Sequence, residues 1–119
     1  MNIEDLRIYC LKKSHTEECF PFDEDTLVFK VAGKMFFLIS LTNSDRFNVK
    51  CDPELAISLR ETYSCVQPGF HMSKKHWNTI HINGTVNDDQ LKEWIDHSYA
   101  MVYNSLPKKT RVLLGKMNF

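Results

Sequence analysis

The sequence has no surplus of charge of either sign. Fifteen Lys and Arg stand against fifteen Asp and Glu, a formal net of zero. That balance counts against a protein that coats nucleic acid or an anionic membrane by bulk charge. Glycine and proline are scarce, four of each, which excludes collagen-like and Pro/Gly-rich low-complexity architectures. Long hydrophobic runs are missing too. The longest, Met35 to Leu41, is far too short to cross a bilayer. The first residues, Met1-Asn2-Ile3-Glu4-Asp5, lack the basic stretch and apolar core of a secretory signal. Four cysteines (Cys10, Cys19, Cys51 and Cys65) include no Cys-x-x-Cys pair, so reduced, mostly buried thiols in a cytoplasmic protein are expected. No Gly-x-Ser-x-Gly, Walker loop or Gly-x-Gly-x-x-Gly occurs. The chain is therefore not expected to be an enzyme, or to hold a cofactor or a metal.

What is present is ordinary globular material. The 119 residues are 43% hydrophobic and 25% charged, with no repeat or linker, so a single domain over 1–119 is expected. Residues 2–14 have the pattern of a helix capped by Asn2, with Ile3, Leu6, Cys10 and Leu11 at helical spacing. Residues 15–25 are polar and acidic around Phe20-Pro21-Phe22, where Pro21 opposes helix continuation.

Residues 26–32 and 34–41 predict two strands turned at Gly33, and 46–51 a third after the Asn43-Ser44-Asp45 turn. Asp52-Pro53 is a helix start; Leu55, Ala56, Leu59 and Tyr63 would form its buried stripe. Val66 to Met72 and 77–83 predict the fourth and fifth strands. Asn87, with Gln90 three residues on and Val86 and Leu91 spaced as a staple, opens a last helix that buries Leu91, Trp94, Ile95, Ser98 and Val102 and ends at Pro107. Residues 108–114 allow a short terminal helix. The order α-β-β-β-α-β-β-α predicts an α+β two-layer sandwich, a five-stranded antiparallel sheet with helices on one face and water on the other.

Neutrality is an average. Residues 1–25 carry a net charge of −4, residues 26–84 of +3 and residues 85–119 of +1. The basic middle holds Lys30, Arg46 and Lys50 on alternating strand positions, and the concentrated segment Ser73-Lys74-Lys75-His76-Trp77-Asn78. Two lysines there can contact phosphates, His76 and Trp77 can stack, and Asn78 offers a donor and an acceptor to a base edge. An ordinary basic turn entering a strand is the simpler reading of the same residues. His71, His76 and His81 stand five apart, a poor spacing for zinc. Glu17, Glu18, Asp23, Glu24 and Asp25 lack the pattern of a calcium loop.

Taken in order, several strings resemble the MmcQ/YjbR-like family. They are Phe20-Pro21-Phe22; Thr26 to Val31 with Gly33 to Phe36; Asn48 to Glu54 followed by Leu59-Arg60-Glu61; Val66 to Thr79, the tightest match; and Leu91 to Tyr99. The resemblance covers roughly residues 2–106. It implies a small bacterial, intracellular protein with a frataxin-like or secretion-chaperone-like α+β fold. It also implies DNA binding through a double-wing arrangement of hairpins. On this chain the wings would be the hairpins at Gly33-Lys34 and Ser44-Asp45-Arg46, together with Ser73 to Asn78.

Two functions follow as expectations. The first is a double-stranded DNA-binding module in which Lys34, Arg46, Lys50, Lys74 and Lys75 hold phosphates and His76, Trp77 and Asn78 approach sugar or base. The second is a chaperone-like adaptor that offers the open sheet face to a protein partner. No membrane association is expected, and the chain would be a monomer or weak dimer.

Overall fold

The capping signals in the sequence set the helix starts. In the computed structural model, which describes residues 1–116, helix α1 spans Ile3–Leu11. The Asn2 side chain accepts from the Asp5 N–H at 2.9 Å, and the Asp5 carboxylate accepts from the Asn2 N–H at 3.1 Å. This reciprocal box satisfies two otherwise orphaned donors. Helix α2, Pro53–Thr62, starts on Asp52, which accepts from the Leu55 N–H at 3.1 Å. Its buried stripe is narrower than the sequence predicts. Ala56 is buried and Leu59 and Tyr63 pack on the core, but Leu55 is exposed. Helix α3, Asp88–Ser105, is capped by Asn87 and buries Leu91, Trp94, Ile95, Ser98 and Val102, all as expected. Helix α4, Lys108–Lys116, follows Pro107 and has no fully buried residue.

The sheet has six strands, one more than the sequence predicts: β1 (Thr16–Cys19), β2 (Thr26–Val31), β3 (Lys34–Ser40), β4 (Arg46–Lys50), β5 (Val66–Pro68) and β6 (Trp77–His81). Their spatial order is β1-β2-β3-β4-β6-β5, and every neighbouring pair is antiparallel. The extra strand is β1. It lies at the edge, and only Cys19 among its residues is apolar, so it has no hydrophobic alternation to read. Polar pairing replaces it. Glu18, on the helix side, is gripped by Arg7 of α1 at 2.7 and 2.5 Å, while Glu17 lies opposite Lys30.

The β2–β3 turn uses two residues with positive φ, Ala32 at 49° and Gly33 at 81°. That is the type I′ geometry whose twist matches a two-residue hairpin. Strand β5 stops at Pro68 rather than running to Met72. Beyond it the chain lifts off the sheet edge as a loop over residues 69–76.

Helices α1, α2 and α3 cover one face. Phe29, Phe37 and Phe47 form an aromatic spine across β2, β3 and β4, with ring centroids 5.6 and 5.0 Å apart. Buried Ser98 ties α3 to the sheet: its hydroxyl accepts from the Lys50 N–H at 2.8 Å and donates to the Phe36 carbonyl at 2.6 Å. The result is the two-layer α+β sandwich that the element order implies.

Candidate functional site

The face away from the helices is not simply wet. Register places Val28, Leu38, Asn48 and Thr79 side by side across β2, β3, β4 and β6. Val28, Leu38 and Trp77 are buried there, with Cys19, Met35 and Met72 packed against them. Two loops roof this second, smaller apolar cluster: residues 20–25 between β1 and β2, and residues 69–76 between β5 and β6.

Each loop is held by side chains whose roles the sequence does not announce. In the first, Asp23 accepts from the N–H groups of Asp25 and Thr26 at 2.9 and 2.6 Å. Asp25 accepts from the Ser40 and Thr42 hydroxyls at 2.5 and 2.6 Å and from the Thr42 N–H at 2.9 Å. These bonds to the ionised form hold both carboxyls below the usual aspartate value. Asp23 and Asp25 are therefore loop structure, while Glu17 and Glu18 of the same acidic run belong to β1.

In the second loop, the Phe70 N–H donates to the Thr79 hydroxyl at 2.9 Å, and the Asn48 amide donates to the Phe70 carbonyl at 3.2 Å. Gly69 lies so close to Trp77 that an added Cβ would sit 2.8 Å from the Trp77 Cβ. Arg60 of α2 closes the loop's far end. It donates to Asn78 Oδ1 at 2.7 Å, to the Trp77 carbonyl at 3.1 Å and to the Lys74 carbonyl.

Between the loops lies a cavity of about 410 Å³. Leu38, Asn48 and Thr79 contribute from the sheet, Phe22 and Asp23 from one loop, and Phe70, His71 and Met72 from the other, with Arg46 in the lining. The cavity has only faint sequence signals. Phe22 and Phe70 are large apolar residues beside Pro21 and Gly69, outside any periodic element, and they are 63% and 62% exposed.

The expected DNA-contact residues divide into three groups. Strands β3 and β6 both run antiparallel to β4, so the start of β3, the end of β4 and the turn before β6 share one end of the sheet. Lys34, Lys50, Lys74, Lys75 and His76 gather at that end. Arg46 does not: it begins β4 opposite His81, roughly 13 Å along the strand from Lys50.

Trp77 and Asn78 form the third group. Trp77 is 8% exposed and belongs to the apolar cluster; Asn78 is 1% exposed and takes the Arg60 bond. Neither side chain is presented to a base, because the fold uses both. His71, His76 and His81 do not converge: among the described residues no three His, Cys, Asp or Glu are placed to share a metal. All four cysteines are free, and burial pushes the Cys51 thiol up to about 11 and the Cys10 thiol up to about 12. Thiols of that kind are poor nucleophiles at neutral pH.

Charge is sorted by face. On the helix side Arg7 pairs with Glu18, Lys13 with Asp96, and the N-terminal amine with Asp88. At the lysine end of the sheet, Lys34, Lys50, Lys74 and Lys75 form no ion pair among the described residues.

The YjbR family model matches residues 11–101. The chain belongs to the YjbR family. The YjbR protein of Escherichia coli K12 is 34% identical over 118 residues, which is 98% of this chain and all of that one. The YbdF protein of E. coli O157:H7 is 33% identical over 100 residues, covering 83% and 82% of the two chains. The YjbR fold described above is also seen in crystals. The Deinococcus radiodurans protein DR2400 superposes with a TM-score of 0.91 at 38% identity, over 96% of this chain and 88% of that one. A Pseudomonas syringae protein superposes at 0.71 with 26% identity, over 86% and 99%.

Proposed function

We propose that this protein binds double-stranded DNA through the lysine end of its sheet, by contacts to phosphate and without catalysis. The observation that carries the reading is the gathering of Lys34, Lys50, Lys74 and Lys75 at one end of the sheet with no carboxylate partner among the described residues. Cations without a carboxylate partner are available to replace the counterions of a phosphate backbone; of the four, Lys74 also donates to the Gly69 carbonyl at 3.0 Å and would share or exchange that bond for phosphate. Lys50 stands on a rigid strand, Lys34 on the tip of a tight hairpin, and Lys74 and Lys75 on a turn braced by Arg60. The backbone positions that carry the cations are thus fixed before binding.

The contact is local. Trp77 and Asn78 being interior, it reads the backbone and carries little base information. Sequence-independent, salt-sensitive affinity follows. The test is a titration of labelled duplex at low and rising salt, with Lys50→Glu and Lys75→Glu as variants. Binding that falls with salt and with each reversal supports the reading; a duplex that fails to bind at low salt overturns it.

The adaptor reading draws on one observation, the exposed Phe20, Phe22 and Phe70 on the loops of the same face. It predicts a protein partner that is lost with Phe22→Ser and Phe70→Ser and retained through changes of salt and the lysine reversals.

A further inference from the structure

We propose that the cavity between the two loops is a small-molecule site for a planar aromatic carboxylate. The proposal stands apart from the DNA reading, because the cavity lies toward the end of the sheet opposite the lysines. Its volume of about 410 Å³ falls within the range of small-ligand sites, roughly 300–1,000 Å³. A half-open cleft of that size suits one or two fused rings.

The chemistry of the ligand follows from which lining groups are already engaged. Asp23 accepts three hydrogen bonds from its own loop, from the N–H of Asp25 and the N–H and hydroxyl of Thr26. The Ser40 hydroxyl donates to Asp25 and accepts from the Asn43 N–H. Thr79 and Asn48 bond each other and the backbone of Phe70.

Arg46 is the exception. Its one ion pair among the described residues, Nε to the Asp45 carboxylate at 4.0 Å, is too long for a hydrogen bond. The lining therefore holds one charged donor whose fork makes no hydrogen bond among the described residues, while the carboxylate that shares the lining, Asp23, is taken up by its own loop. A carboxylate meets that fork through two parallel bonds.

The apolar side calls for a flat ring. Phe22 and Phe70 leave most of their surface to water while lining a cavity floored by Leu38 and backed by Met72. The Phe70 ring already lies 4.1 Å from the His71 ring, and a planar aromatic body set beside that pair or against Phe22 gains the stacking contribution as well as the burial.

Naphthoate and its uncharged counterpart naphthamide are suitable probes, followed by backbone amide shifts in the protein without nucleic acid. Saturable naphthoate shifts are expected around residues 22–23, 46–48 and 70–72. Arg46→Gln should weaken naphthoate about tenfold while leaving naphthamide unchanged, the loss expected for a charge-assisted bond. Phe70→Ala should weaken both. Lys50→Glu and Lys75→Glu should change neither, which separates this site from the DNA surface. The proposal is overturned by an absence of saturable shifts at millimolar naphthoate, by shifts centred on the lysine end, or by Arg46→Gln leaving the preference for naphthoate over naphthamide intact.

Discussion

Thr79 and Asn48 face each other across the β4–β6 ladder, and the Thr79 hydroxyl donates to the Asn48 carboxamide oxygen. The same two side chains bind both backbone groups of Phe70. They take the place of the ladder bonds lost where β5 ends at Pro68. The loop over residues 69–76 is thus an ordered wall of the cavity, with its buried polar groups satisfied.

Thr79→Val removes the hydroxyl at nearly constant volume. It strands the Phe70 N–H and the Asn48 carboxamide oxygen, at a cost of roughly 1–3 kcal/mol. Urea unfolding should show that loss, and hydrogen exchange should show faster exchange at Phe70 than in the parent.

Gly69→Ala tests the close approach of the loop to β6. The new Cβ would sit 2.8 Å from the Trp77 Cβ and 2.9 Å from the Trp77 carbonyl oxygen, neither of them a flexible chain end. The strain should cost roughly 1–3 kcal/mol. An unchanged unfolding midpoint would mean that the loop sits further from Trp77 than described.

Arg60→Lys should destabilise nearly as much as Arg60→Ala, roughly 1.5–3 kcal/mol. The planar fork spans Asn78, Trp77 and the Lys74 carbonyl at once, and an ammonium cannot reproduce that geometry. Denaturant midpoints of the two variants decide it.

Asp25 links the first loop to pH. Its folded carboxyl is held below the ordinary 3.8 by bonds from Ser40 and Thr42. The unfolded state therefore takes up the proton first. The stabilisation is present above the unfolded value and is lost as pH falls below 3.8 and through the folded value. Asp25→Asn should be less stable at neutral pH and show a shallower loss on acidification. Thermal midpoints measured between neutral and strongly acidic pH provide the comparison.

Much of the sandwich is legible because its elements carry local signals. Asn2, Asp52 and Asn87 each cap the helix they precede, and the alternation of Phe47 and Val49 with Arg46, Asn48 and Lys50 gives the strand that carries two candidate contacts. Strand β1 escapes because a polar edge strand stabilised by Arg7 and Glu18 has no apolar period. The site is less legible still. Lys34, Lys50, Lys74 and Lys75 come together only through the antiparallel register, and Arg46, grouped with them by charge, ends up at the opposite end of the strand it shares with Lys50. Trp77 and Asn78 look like contact residues beside two lysines. Trp77 is buried by Val28, Leu38 and Met72, and Asn78 is held by Arg60 eighteen positions away, none of them sequence neighbours. The cavity arises from two loops that meet only in the folded chain, so Phe22 and Phe70 give little hint of one another.

Phosphate binding by the lysine end of the sheet is read out in the salt dependence of DNA affinity. With three or four lysines on phosphates, log K against log salt for a duplex should fall with a slope of about −2.7 to −3.6. Lys75→Glu should lower affinity on every duplex sequence tried and make the slope shallower by about one. A duplex that fails to bind at low salt, or an affinity that neither salt nor Lys75→Glu alters, would contradict the account.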